Sequence, residues 1–206
     1  NVPVLLQLLI WYVLLVEFMP DSQSPLHFND WFYLSKNGIS FPIPVWDASV
    51  PGLVWDVPVW LDGEITQGIS LTPEFLAITL GLSFYTSAFV AEVVRAGIVS
   101  VPRGQLEAAK SIGLSNWQTT RQVLLPQAMR VIIPPLTNQY LNLTKNSSLA
   151  VAIGYPDLVS ISNTALNQTG RAVECIALIM AVYLCLSLGT SALMNAFNQR
   201  MAIRER

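Results

Sequence analysis

The chain has 206 residues, of which 52% are apolar and only 12% charged, and its mean hydropathy is +0.48. That is about half the charged share of an ordinary soluble domain, so composition points to a membrane protein, and a net charge of −2 leaves no electrostatic footprint for nucleic acid. The apolar residues also come in separate blocks, which a single soluble core would not require.

A bilayer core of about 30 Å takes about 20 mostly apolar residues as helix, and four segments qualify to different degrees. Residues 4–19, between Pro3 and Pro20, form the shortest candidate span; no Lys or Arg precedes them, so they do not read as a secretory signal. The chain starts at Asn1 directly against this run, and sequence upstream of it is expected. Residues 20–72 follow as a polar loop with four of the six tryptophans, Trp31, Trp46, Trp55 and Trp60. A V-W-D pattern recurs around Pro51-Gly52, a turn signal that suggests a short hairpin or extended ribbon. The lone His27 has no Cys or His at ligand spacing, so no metal site is expected. The second span, about 74–99, carries Glu92 and Arg95 three residues apart, an intrahelical pair or a contact at a gate or subunit boundary.

Between the second and third runs lies a basic, polar insert, 102–130. Pro102 and Gly104 interrupt the preceding helix, and Leu106, Ala109 and Ile112 then give a short apolar stripe. Gly113 supplies a left-handed stop, and Ser115-Asn116-Trp117-Gln118 matches a capping box that opens a second helix, expected to end near Pro126. Two short helices joined at a glycine corner result, a motif common on its own.

The third span, about 131–153, contains TNQYLNLTKNSS at 137–148. Lipid on every side of that segment is excluded, because unpaired amides and an ammonium are costly in hydrocarbon. At helical spacing Asn138, Asn142 and Lys145 form one stripe, and Leu136, Tyr140 and Leu143 another. Asn138, Gln139, Asn142 and Ser147 are candidate contacts along a solute pathway, with Tyr85 and Ser87 of the second span facing them; the competing reading is that these groups join helices to one another. The fourth span, about 172–197, holds Cys175 and Cys185 ten residues apart, about 15 Å on a helix and too far for a disulfide. Three N-x-[ST] triplets, at Asn142, Asn146 and Asn167, are taken as coincidental because two fall within a span.

Loop charge orients the spans. Residues 100–130 hold Arg103, Lys110, Arg121 and Arg130 against Glu107, and the tail holds Arg200, Arg204 and Arg206 against Glu205. The 20–72 loop holds only Lys36 against Asp21, Asp30, Asp47, Asp56, Asp62 and Glu64. Since basic loops stay in the cytoplasm, the 102–130 insert is expected inside and the 20–72 loop outside.

Glu107-Ala108-Ala109, three residues, Gly113, nine residues, then Val123-x-Leu125-Pro126 resembles the EAA motif of ABC-importer permeases, EAA-x3-G-x9-I-x-LP, with Val for Ile. The flanks, VAEVVRAGIVSVPRGQLEAAKSIGLS and LPQAMRVIIPPLTNQYLNLTKNSSLAVAIG, are similar to the polar amino-acid (histidine/glutamine/arginine) subfamily. The likeness covers roughly 1–19 and 72–206, and ALNQTGRAVE with the long outer loop resembles permeases of general L-amino-acid importers. The resemblance implies an all-α, polytopic helix bundle of the type I importer kind, one permease domain over 1–206 in the bacterial plasma (inner) membrane. It implies a subunit that moves amino acids from an extracytoplasmic solute-binding protein to the cytoplasm by alternating access, paired with a second permease, identical or paralogous. Glu107, Ala108, Ala109, Ser111, Gly113, Leu125 and Pro126 would then couple it to the ATPase. The Trp-rich loop would either pack on the outer leaflet or help seat the binding protein.

No G-x4-GK[ST] occurs, so ATP and Mg belong to the partner ATPase and no cofactor is expected in this chain. Nothing here reads as a nucleophile or an acid–base pair, so no catalysis by this chain is expected. Within LTKNSSLAVAIG, Asn146 stands where a K-D-T-S-L-like segment has Asp, and Lys145 loses an acidic neighbour. A self-contained secondary transporter or channel, with Lys145 in ion coupling, is the alternative, needing neither ATPase nor binding protein; a non-transporting scaffold leaves the polar third span unexplained.

Overall fold

The computed structural model describes residues 2–29, 31–46, 52–61 and 63–201. Its contacts divide into two units, Asn1–Leu82 with Leu149–Asp157, and Ser83–Ser148 with Leu158–Arg206. Arg204 and Arg206 of the basic tail, and Asp30, Asp47 and Asp62 of the acidic loop, lie outside the described residues.

In the first unit α1 (Val4–Phe18) is apolar around its circumference and 15 residues long, about 22 Å at 1.5 Å per residue, short of a full bilayer core. It packs on the start of α2 (Pro73–Val99): Leu8 and Ala77 are fully buried, and Gly81 lets the two backbones approach. Small residues serve this purpose between membrane helices, where close van der Waals packing replaces a hydrophobic drive. Tyr12 Oη donates to Glu74 across the pair, at 3.4 Å.

Among the described residues the segment between these helices holds strands and no helix, so the all-α expectation is corrected. Eight strands of three or four residues are described there. β1 (Leu26–Phe28), β2 (Phe32–Ser35), β3 (Gly38–Phe41) and β8 (Ile69–Leu71) form an antiparallel sheet in the order β1-β2-β3-β8. β4 (Ile43–Trp46) pairs with β5 (Leu53–Asp56), and β6 (Val59–Leu61) with β7 (Glu64–Thr66). The β4–β5 ribbon flanks the Pro51-Gly52 turn signal, of which Pro51 lies outside the described residues. Ser40 and Ser70 sit opposite one another and share a 2.6 Å hydroxyl hydrogen bond. The Lys36 amide donates to the Pro20 carbonyl at 2.8 Å, and the Trp60 indole to the Ser22 carbonyl at 3.1 Å, tying the strands to the end of α1.

The second unit holds the remainder of α2, then α3 (Arg103–Ser111), α4 (Asn116–Thr119), a π turn (Thr120–Leu124), α5 (Leu125–Asn146), α6 (Leu158–Thr169) and α7 (Ala172–Met201). Val101, Ala128 and Ile132 form its buried centre, covered by Val93, Val94, Leu124, Met129 and Leu136. α7 packs on α5 and α6 but leaves most of its apolar surface uncovered, as a helix meant for lipid or a partner helix does.

Among the described residues two helices, Pro73–Val99 and Ala172–Ala196, are long and apolar enough to span a bilayer. The third run differs from the sequence expectation at both ends. The helix opened by the capping box does not stop near Pro126; it continues through the π turn into α5, because the wide turn lets the Leu125 amide reach the Thr120 carbonyl just where proline disturbs the ladder. At the other end α5 passes into a 3-10 segment (Ser147–Ile153), and the helix resumes as α6 at a bend of 54°.

Candidate functional site

Two features stand out in the second unit, a polar cavity and a capped elbow. The cavity, about 280 Å³, opens between α2 and α5. From α2 come Tyr85, Thr86 and Phe89, with the Tyr85 and Phe89 rings tilted against one another at 5.1 Å. From α5 come Gln139, Asn142 and Asn146, whose three- and four-residue spacing puts the amides on one helical stripe. Among the described residues, these three side-chain amides make no hydrogen bond to protein. That observation bears on the choice between lining and glue, since amides that join helices are bonded across the contact.

Of the six pathway candidates, the structure brings Tyr85, Gln139 and Asn142 together at this cavity. Asn138 is exposed elsewhere on α5. The hydroxyls of Ser87 and Ser147 donate to the carbonyls of Phe84 and Thr144, at 2.8 and 2.7 Å, on their own helices. Sequence reasoning left out Thr86, Phe89 and Asn146, although Phe89 lies one turn beyond Tyr85, and Asn146 lies two turns beyond Gln139. Lys145 projects into a different, larger cavity of about 560 Å³, with Ser148, Tyr183 and Ser187. Glu92 and Arg95 form a forked intrahelical pair, Arg95 Nε donating to Glu92 Oε2 at 2.9 Å.

The elbow is built by local chemistry at both ends. The Gly113 amide bonds the Lys110 carbonyl at 2.9 Å and the Leu114 amide the Ala109 carbonyl at 3.2 Å, the paired bonds of a Schellman stop, with Gly113 at φ +86°. One residue later the Gln118 amide donates to Ser115 Oγ, and the Ser115 amide to Gln118 Oε1, completing the capping box. Both orphaned helix ends are thus satisfied within six residues, which fixes the angle between α3 and α4. Glu107, Ala108 and Ser111 are exposed, whereas Ala109 is buried (4% exposed). Ile112 and Trp117 are 79% and 71% exposed, and Leu125 and Pro126 lie at the start of α5.

Among the described residues the chain thus combines two apolar helices of membrane-spanning length, a capped elbow and an unpaired polar stripe. Over residues 1–203 the chain matches the family described as binding-protein-dependent transport system inner membrane component, and it belongs to that family. It is 42% identical to the putative amino-acid ABC transporter permease protein YhdX of Escherichia coli (strain K12), over all of this chain and 66% of that protein. It is 38% identical to the general L-amino acid transport system permease protein AapQ of Rhizobium johnstonii, over all of this chain and 65% of that protein. The glutamate/glutamine/aspartate/asparagine transport system permease protein BztB of Rhodobacter capsulatus is 48% identical over 75% of this chain and 37% of its own length. The chain therefore spans less than two thirds of the length of each of these three relatives. Among solved structures, an amino acid ABC transporter with histidines is similar at TM-score 0.55 and 36% identity, covering 64% of this chain and 61% of that one. The MetNI methionine ABC transporter, at TM-score 0.50 and 19% identity over 64% and 58% of the two chains, shares the fold. The resemblance drawn from the EAA spacing is met at the level of the family.

Proposed function

We propose that this chain is the permease subunit of an ATP-binding-cassette importer for amino acids. The observation that carries the proposal is the unpaired amide stripe of Gln139, Asn142 and Asn146 facing an aromatic pair across a cavity, in a chain that belongs to a family of transport-system membrane components. YhdX, AapQ and BztB are named as permeases of amino-acid transport systems, which supports the choice of substrate class. In this reading the chain lies in the bacterial inner membrane, pairs with a second permease, receives solute from an extracytoplasmic binding protein and is driven by an ATPase subunit that holds ATP and Mg. The β-rich segment Leu26–Leu71 faces outward, and the elbow faces the cytoplasm and meets the ATPase through Glu107, Ala108 and Ser111, with Gly113, Leu125 and Pro126 holding its shape.

A cysteine in place of Ser111, exposed on α3, is expected to crosslink to the ATPase in the assembled complex. No crosslink in any nucleotide state of an active complex would remove the docking assignment. For the cavity, Gln139→Ala and Asn142→Ala should each weaken amino-acid binding by about 2- to 12-fold, the loss of one hydrogen bond of about 0.5–1.5 kcal/mol. Equilibrium binding to the purified complex measures this, and unchanged affinity in both would return these amides to a helix-joining role.

A further inference from the structure

We infer that the α2–α5 cavity selects amino acids with an uncharged polar side chain, carboxamides foremost, and rejects cationic ones, with Asn146 as a deciding position. The inference rests on the reading of this cavity as part of the solute pathway. Its polar lining is made of neutral groups: Gln139, Asn142 and Asn146 from α5, Thr86 and Tyr85 from α2. Among the described residues, no ionised side chain lines it. Each amide offers two donors and an acceptor, the same set that a carboxamide side chain presents, so the two satisfy one another in either orientation.

Selectivity is a difference of affinities. The α-ammonium and α-carboxylate are common to every amino acid and cancel in the comparison; only the side chain discriminates. A guanidinium or ammonium entering here leaves water without meeting a counter-charge, an uncompensated desolvation. The charged groups nearest in the chain do not relieve it. Glu92, one turn beyond Phe89, is committed to Arg95. Lys145, adjacent to Asn146, lines the other cavity and has no carboxylate partner among the described residues, so its field opposes a second positive charge. At the end of the amide stripe, Asn146→Asp places a carboxylate in the cavity at nearly constant volume and removes the barrier.

The test uses the assembled importer in lipid nanodiscs without the binding protein, so that the permease's own preference is read. Equilibrium binding of radiolabelled L-glutamine and L-arginine is measured on the wild type and on Asn146→Asp. The wild type should bind glutamine at least tenfold more tightly than arginine, and Asn146→Asp should lower that ratio at least tenfold. Equal binding of the two amino acids by the wild type overturns the inference, whatever the variant's assembly. So does an assembled variant with an unchanged ratio; if Gln139→Ala still weakens glutamine binding, the pathway reading survives that result. A complex that transports amino acids yet binds none in this assay overturns both.

Discussion

Replacing Gly97 by alanine is expected to destabilise the second unit by about 1–3 kcal/mol, the usual range for overpacking, and leucine there should cost more. Gly97 lies on α2 against α5, and a Cβ at this position would overlap Ile132 Cγ1 outright, lie 2.9 Å from its Cδ1 and 3.2 Å from the Ala128 carbonyl oxygen. Ile132 and Ala128 are two of the three residues at the buried centre, so neither has room to retreat. Alanine would gain about 1 kcal/mol of helix propensity, which the overlap outweighs. Two further glycines calibrate the effect. At Gly81 the added carbon meets the flexible end of Leu8 at 2.7 Å, and a milder loss is expected. At Gly189 nothing lies within 4 Å, and alanine should be neutral or slightly stabilising. Thermal denaturation of the purified complex ranks the three, and Ile132→Ala, which removes both Cγ1 and Cδ1, should cost less in the Gly97→Ala background than the two single losses added together. Additive losses in that double variant, or equal losses at Gly97 and Gly189, would show that the α2–α5 approach does not set stability.

The parts of this fold that were legible in sequence are those whose signal is local. Gly113 and Ser115-x-x-Gln118 specify a stop and a start through hydrogen bonds spanning three to five residues, and both form as read. The runs at 73–99 and 172–196 are long and apolar enough to be seen by composition alone. Apart from the ribbon expected around Pro51-Gly52, the strands were missed because each has only three or four residues, too few for a period of two to register, although Asn37-Gly38 stands at the hairpin joining β2 to β3. α6 was hidden by its Ser, Asn and Thr content, yet Leu158, Ile161 and Ala165 keep helical spacing and Gly170 closes it at φ +70°. The cavity was half legible for a geometric reason. Helical spacing identifies neighbours on α5, but which stripe turns towards α2 depends on how the two helices are rotated against each other. That rotation places Gln139 and Asn146 with Asn142 and leaves Asn138 outside.

Valine at Gly113 should cut ATP-driven uptake by tenfold or more while leaving membrane assembly and amino-acid binding intact. At φ +86°, and with nothing within 4 Å of an added Cβ, the substitution meets no steric neighbour; its whole cost is conformational, about 1–2 kcal/mol for a left-handed residue, and β-branching adds to it. The chain escapes that cost by leaving the left-handed region, which breaks the bonds from Gly113 to Lys110 and from Leu114 to Ala109 and frees α3 to reorient on α4. The exposed Ile112 and Trp117 then no longer present one fixed surface, and under the proposed docking the force from an ATPase would be lost in the corner. Asparagine tolerates the left-handed region, so Gly113→Asn should keep most of the uptake, a rescue that simple loss of space would not give. Proteoliposomes containing the complex and its binding protein allow uptake and ATP hydrolysis to be followed together. The valine variant should hydrolyse ATP without matching transport, and its Ser111→Cys crosslink to the ATPase should weaken. Wild-type uptake by Gly113→Val would mean that the angle of the elbow carries no force.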